Sequence, residues 1–420
     1  MSAPPAAPVP AGALVASTTR TRGDLDLLDV AGPDGMIFAA DGSGMAGTGL
    51  AIRVPLPVGP GRLGAAAGEV ERALGAIERR DEVGLPGCGP VAFAALPFSD
   101  DAPASVVIPS LIVGRAADGT AWTTTVAAEN APAPAVAPSQ PAVEPPGPGA
   151  YEVRASRPAE EWCKAVAQAV EAVRRGEVDK VVLAREVVVE ADAPLSAGAV
   201  LRRLAAAYPS AMIYGVEGLV GASPELLVSR SGDVVRSHPM AGTTLRSGDP
   251  AVDARLAASL LSSAKDRAEH QITIDMVLDA VLPFCSYVDS EPEPGIVASA
   301  NVQHLASLVE GRLSSPPASV LDLVAALHPT PAVCGWPVAP AQELIRRLER
   351  LDRGRYTGAV GWVDAAGNGR FAVAIRGAEL DGNRARLFAG TGIVADSDPL
   401  TELAETRAKL QAVLSAVVRP

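Results

Sequence analysis

The chain has 420 residues, 48% hydrophobic and 20% charged, with a formal net charge of -12. This composition fits a globular protein with a large core and excludes a disordered one. The acidic balance, with no lysine- or arginine-rich stripe, argues against nucleic-acid binding, and no apolar run is long enough to span a membrane. Cys88, Cys163, Cys285 and Cys334 show no CxxC or zinc spacing. They are expected to be reduced, and with no signal-peptide pattern at the N-terminus the expected location is the cytoplasm.

In chain order, residues 1–12 are rich in Pro and Ala and read as a loose tail. Residues 13–129 hold short strand-like runs such as "GMIFAA", "GLAIRV", "VAFAALPF" and "SVVIPSLIVG". Residues 130–149, "NAPAPAVAPSQPAVEPPGPG", are too proline-rich for a helix or a central strand and read as a linker. Residues 150–420 are patterned more densely. A helix over "AEEWCKAVAQAVEAVRRGEV" leads into a strand over "KVVLAREVVVEA". The segment "SAGAVLRRLAAAY" is helical, "AMIYGV" and "PELLVSR" are strands, and "DARLAASLLSSAKDRAEHQITIDMVLDAVLPF" reads as two consecutive helices. A meander of "GAVGWVD", "RFAVAIRGAEL" and "RARLFAGTGIV" follows, closed by a helix from about Leu400. Hairpins dominate a mixture of helices and antiparallel strands, so the class is α+β, or α/β on a looser definition.

Three constellations in this region carry chemistry. In the meander, the "DGN" turn at 381–383 sets a hairpin register that puts Arg376 opposite Ala389 and beside Gly390. The preceding turn puts Arg376 roughly opposite Gly358, with Tyr356 nearby on the same face. A long cation above Ala372 and Ala374, beside backbone amides bared by Gly390 and Gly392, makes an anion seat; the alternative is a solvated edge arginine.

The second constellation is acidic. Glu402 and Glu405 lie three apart at the start of the last helix, and Asp266 and Glu269 are three apart on a helix continuing through Ile272, Met276 and Val277. Such pairs suit solvated faces, or, brought together, an oxygen-ligated cation such as Mg²⁺. The third is Lys180, at the head of a valine-rich strand, with Glu225 just past Ser-Pro on a hairpin. A buried lysine is driven toward a neutral base, and a carboxyl in a dry pocket toward a neutral acid. An exposed strand start is the ordinary alternative for Lys180.

In this order, "KVVLAR", "GASPELL", "HPMAGT", "SSAKDRAEH", "LHPTPAVCGWP", "YTGAVGWVDAAGNGRFAVAIR" and "FAGTGIVADSDPLTELAETRAKL" resemble the chorismate-utilising enzymes, most closely the isochorismate synthases of the siderophore type. The resemblance covers roughly residues 150–418; the first 130 match more loosely, best at "ALPFSDDAPASVVIPS". It implies one large unit of two packed, mainly antiparallel sheets with helices outside. It also implies a Mg²⁺ ion held by Glu269 and Glu405, supported through water by Asp266 and Glu402, binding the ring carboxylate of chorismate. Tyr356 and Arg376 would take the enolpyruvyl carboxylate, with the Gly390 and Gly392 amides and Lys409 completing the seat. Gly242 and Thr243 would line the ring pocket near His304. Lys180 would deprotonate a water attacking C2, and Glu225 would protonate the departing C4 hydroxyl.

Relatives that use ammonia typically lack a lysine at the Lys180 position and carry a "PIKGT"-like segment where this chain reads "PMAGT". Lys180 with "MAGT" therefore favours water as the nucleophile. Salicylate synthase, which goes on to eliminate pyruvate, and a silent chorismate-binding protein are the other readings; "HPTPAVCGWP" looks more like the isochorismate synthases. Thr244 and the "VQHL" around His304 depart from the family's usual residues without touching the proposed metal or acid/base groups. The family implies a monomer, while the charge and the apolar runs give the expectation of no nucleic-acid or membrane partner. Whether the product feeds a siderophore or menaquinone is not written in these motifs.

Overall fold

The computed structural model describes residues 13–21, 25–132, 134, 147–299 and 301–418. The expected tail at 1–12 lies outside the described residues, as does most of the expected linker at 130–149.

Two large sheets carry the fold, of thirteen and nine strands among the described residues. Pairing is antiparallel apart from the parallel contact of Leu14–Arg20 with Glu78–Asp81. N-terminal strands are threaded into both sheets. Met36–Ala40 pairs with Met212–Val216 in the larger, and Val91–Ala95 pairs with Ala359–Asp364 in the smaller. Val91–Ala95 is buried at every position, which is why "VAFAA" reads as a continuous apolar run and does not alternate.

The sheets pack face to face through Phe38, Met45, Phe93, Tyr214 and Ala372. The helices Ala197–Ala207 and Pro399–Val417 cover the outer face of the larger sheet. Arg62–Gly75, Val320–Leu327 and the end of Ala264–Val281 cover that of the smaller. The order helix, sheet, sheet, helix gives each sheet two dry faces, as the α+β expectation requires. A third, small sheet joins Met240–Leu245, Val302–Ala306 and Gly295–Ala298. Among the described residues no helix is long and apolar enough to cross a membrane.

The strand "KVVLAREVVVEA" falls at Lys180–Ala191, as expected. The meander does not. Its middle arm is two strands in different sheets: Gly369–Val373 pairs with Ala359–Asp364, and Gly377–Asp381 pairs with Arg384–Ile393. The chain crosses between the sheets at 374–376, where Arg376 takes the left-handed φ of 55°. The "DGN" register holds from Asp381–Arg384 to Ala378–Leu387, but the pairing ends there, so Arg376 is not paired with Ala389 as expected; its carbonyl accepts from Ala222 N instead. The earlier register is off by two. Ala374, not Arg376, faces Gly358, their backbones bonding at 2.8 Å. The alternation that hid the crossing continues through it, with Phe371 and Val373 in the outer core and Ala372 and Ala374 in the inner one.

Candidate active site

Each site residue singled out in the sequence lines one cavity of about 180 Å³: Lys180, Glu225, Gly242, Thr243, Asp266, Glu269, His304, Tyr356, Arg376, Gly390, Gly392, Glu402, Glu405 and Lys409. The sheet crossing helps create it. Arg384–Ile393 is flanked on one side by Lys180–Ala191, but on the other by a strand that stops at Gly377. From Ala389 onward the second neighbour is missing, so Gly390 and Gly392 face a gap in the sheet. Val182 and Ala184, their partners across the pair, send their N–H groups the other way, to Cys334 O and to Glu349 Oε2.

Lys180 is buried at 5% exposure, and its Nζ donates to Glu269 Oε1 at 2.5 Å. Its stem crosses Gly392 so closely that a Cβ there would lie 2.6 Å from Lys180 Cε. Glu225 leads directly into the strand Leu226–Ser231 and is equally buried at 5%. Its backbone is pinned by the Ser223 hydroxyl and by the Val373 amide. Burial raises its carboxyl to about 7, against the opposing pull of Lys180 and Arg376.

Arg376 is a buried cation with no ion pair among the described residues. Its Nη2 lies 3.3 Å from His304 Nε2. Burial pushes its guanidinium down, while Tyr356, Tyr208, Glu405 and Glu225 act on it through space in the other direction. Burial, with the Arg376 charge, also holds His304 well below its ordinary value. With Nδ1 facing Gly242 O at 3.3 Å and Thr243 Oγ1 at 3.1 Å, the geometry assigns a neutral ring that donates from Nδ1 and accepts from Arg376 at Nε2. Gly242 has a φ of 71°, and a Cβ on it would meet Asp266 Cβ at 3.2 Å, so the small sheet closes against the acidic helix only with glycine there. Tyr356 stacks on Phe388 at 5.1 Å, its hydroxyl beside Gly390; burial raises that phenol to about 12, so it is a neutral donor.

The two acidic pairs face the same cavity from the helices Ala264–Val281 and Pro399–Val417. Burial works to raise Glu269, but the Lys180 ammonium outweighs it and holds the carboxyl below its usual value. Burial, with the Glu405 charge, raises Glu402. Glu405 pairs with Lys409 at 2.5 Å, and Lys409 also donates to Gly390 O at 3.0 Å. Lys409 is therefore tied to the carboxylate and the strand; it does not stand as a free cation in the anion seat. Among the described residues no three His, Cys, Asp or Glu side chains are already gathered as a metal cage. The ammonium groups of Lys180 and Lys409 neutralise the two glutamates instead. On the first acidic helix the buried face runs through His270, Thr273, Ile274, Val277 and Val281, while Ile272 is exposed. His270 bonds to Ser307 and makes no hydrogen bond to Glu269 among the described residues.

Two features escaped the sequence reading. The Thr391 hydroxyl lies between Glu402 and Glu405, within bonding distance of both. A hydroxyl between the two bared glycines was the available signal. Behind the cavity, Arg353 and Glu349 form an ion pair, with side chains 2% and 1% exposed. Arg353 donates to Val182 O, Val333 O and Thr357, and Glu349 accepts from Ala184 N. The pair thus closes the backbone bonds of the strand carrying Lys180. An i,i+4 Glu-Arg pair is common on solvated helices, and nothing in its spacing marked this one as buried.

Residues 39–418 match the family described as "Chorismate binding enzyme". A Mycobacterium tuberculosis protein to which isochorismate synthase activity is ascribed is 42% identical over 344 residues, 79% of this chain and 87% of its own. The Bacillus subtilis isochorismate synthase DhbC is 41% identical over 278 residues, 64% of this chain and 70% of its own. Among solved structures, a Bacillus anthracis protein ascribed to the 2,3-dihydroxybenzoate-specific isochorismate synthases superposes with a TM-score of 0.78 at 32% identity. That superposition covers 93% of this chain and 98% of the other.

Proposed function

The chain belongs to the chorismate-binding enzyme family, and from that premise we infer that it is an isochorismate synthase, converting chorismate to isochorismate. The observation that carries this reading is that buried Lys180 and a buried Glu225 carboxyl, raised to about 7, line one cavity beside Arg376, which has no ion pair among the described residues.

Arg376 and the Tyr356 hydroxyl take the enolpyruvyl carboxylate, with the Gly390 and Gly392 amides beside it. Gly242, Thr243 and His304 bound the ring, and His304 keeps the Arg376 fork aimed at the carboxylate. Lys180 removes a proton from the water attacking C2. The ring's double bonds shift as the C4–O bond breaks, and Glu225 gives its proton to the leaving hydroxyl. One water enters and one leaves, so the product is an isomer. A carboxyl raised to about 7 suits this task, being substantially protonated at neutral pH and able to release the proton.

The donor set fits a hard divalent cation: Asp266, Glu269, Glu402 and Glu405 are all carboxylates, and Thr391 orients two of them. Glu269 and Glu405 would hold Mg²⁺ directly, and Asp266 and Glu402 through water. The ion, when bound, supplies positive charge to the ring carboxylate. With Glu269 on the ion, Lys180 would lose that partner and, once its ammonium has given its proton to solvent, would face the attacking water as a neutral amine. Every residue assigned to the reaction comes from one chain, which supports a monomer acting on a small molecule.

The test is purified protein with chorismate and Mg²⁺, its products separated by chromatography. Isochorismate supports the reading; salicylate with pyruvate, or unchanged chorismate, overturns it.

A further inference from the structure

Along Arg384–Ile393, Arg386, Phe388, Gly390 and Gly392 occupy every second position and share the face turned from Ala385, Leu387 and Ala389, which pack in the outer core. Gly390 and Gly392 line the catalytic cavity, while Arg386 and Phe388 lie beyond its lining. Phe388, Tyr356 and Ala184 form a small buried cluster of their own. The Tyr356 ring lies on Phe388, with centroids 5.1 Å apart and planes 15° apart. From there its hydroxyl reaches the cavity at Gly390, where a Cβ would fall 3.1 Å from it.

The Arg386 guanidinium stands over the Phe388 ring, 4.9 Å from its centroid. Its Nε donates to Glu186 Oε1 at 2.5 Å, its Nη2 to Asp352 O at 2.6 Å and its Nη1 to Glu379 Oε2 at 3.3 Å. Glu186 is opposite Phe388 on the adjoining strand, and its side chain is 8% exposed. Glu379 turns its other oxygen to the backbone N–H of Arg355 at 2.9 Å, one residue before Tyr356. Glu379 thus ties the cation over Phe388 to the backbone that carries Tyr356. A cation is drawn to the face of an aromatic ring and so holds the ring's plane. A second ring stacked on the first follows that plane.

We propose that Arg386 is a positioning residue for the substrate seat: through the Phe388 ring it sets the plane and reach of Tyr356, and with them the hydrogen bond offered to the enolpyruvyl carboxylate. The inference rests on the proposed function, which assigns that carboxylate to Tyr356 and Arg376, and extends the seat to a residue outside the cavity lining. Arg376 brings the charge. The neutral Tyr356 phenol brings one directed bond, and the strength of such a bond falls steeply as its angle departs from linear. Its contribution therefore depends on where the hydroxyl points. A network kept for stability alone would act on folding and leave that direction untouched. A change at Arg386 should accordingly weaken binding only while the Tyr356 hydroxyl is present.

The experiment is a double-mutant cycle on chorismate affinity, read by calorimetry with Mg²⁺ in the full chain carrying Lys180→Ala, so that turnover does not obscure binding. Arg386→Met should weaken binding by roughly fivefold, and Tyr356→Phe should weaken it as well. The two changes together should bind no more weakly than Tyr356→Phe alone. Arg386→Lys, which keeps a cation over the ring, should bind more tightly than Arg386→Met. Phe388→Leu leaves the ion pairs of Arg386 in place and supplies the same cycle if melting curves show Arg386→Met to be unfolded. Additive losses in the cycle, unchanged affinity on substitution, or equal affinity of the Lys and Met variants would each overturn the proposal. Absence of chorismate binding before any change at Arg386 would overturn the proposed function, and this inference with it.

Discussion

Lys180 Nζ donates to Glu269 Oε1 across 2.5 Å, joining the head of a strand to a helix 89 positions further along the chain. The proposed base and a proposed metal ligand thus hold each other. Neither is left as an uncompensated buried charge, an arrangement that would otherwise cost several kcal/mol. Substituting Lys180→Ala removes the base and the compensating charge together. Turnover should fall by about 100-fold or more, while chorismate, held through Arg376 and Tyr356, still binds in the presence of Mg²⁺. Equilibrium binding beside steady-state rates checks this; a normal rate removes the role assigned to Lys180.

Glu225 gives a pH dependence with a defined sign. Its carboxyl is raised by burial to about 7 from an ordinary value of 4.5. The general acid is present below that value, so kcat should fall as pH rises through about 7. The same shift bears on stability. The folded chain binds this proton more tightly than the unfolded chain, so the contribution is full below about 4.5 and lost as pH rises through about 7. Its size is on the order of 3 kcal/mol. Glu225→Gln should abolish turnover and flatten that part of the stability profile, read by denaturant unfolding at several pH values.

Gly392→Ala tests the packing of the base. The added Cβ would fall 2.6 Å from Lys180 Cε, the flexible part of a side chain, so Lys180 moves and the strand does not. The expected result is a near-native melting temperature with kcat reduced by roughly tenfold or more, since a misplacement of about 1 Å costs as much as 100-fold. A fully active variant contradicts the close approach.

The Glu349–Arg353 pair tests what holds the strand in place. Arg353→Met leaves Glu349 buried and unmatched and frees backbone acceptors at Val182 and Val333. The loss of stability should be about 3–5 kcal/mol, measured by chemical denaturation. A loss below about 1 kcal/mol, the range of a surface pair, would show that the pair is not buried.

Much of the site was legible because its residues sit in short local devices. The two i,i+3 acidic pairs, the glycines around Thr391 and the "DGN" turn each follow from spacing over a few positions, and each falls where expected. What was not legible depends on contacts distant in sequence or on one backbone angle. The crossing at Arg376 leaves the period-2 alternation of Phe371 to Ile375 undisturbed, so the pattern continues through a change of sheet. The Lys180–Glu269 and Lys409–Glu405 pairings set which cations are spent and which are free, and residue type alone does not carry that. The N-terminal strands were visible as apolar runs, but their places beside Met212–Val216 and Ala359–Asp364 depend on packing between the sheets.

The central claim is that the helices Ala264–Val281 and Pro399–Val417 share one divalent ion. Counting bound Mn²⁺ by electron paramagnetic resonance, in the parent chain and in Glu269→Gln and Glu405→Gln, tests it directly. A single Mn²⁺ should bind the parent, compete with Mg²⁺, and bind at least about tenfold more weakly in each variant. Parent-like Mn²⁺ affinity in either variant would show that the two helices do not hold an ion between them.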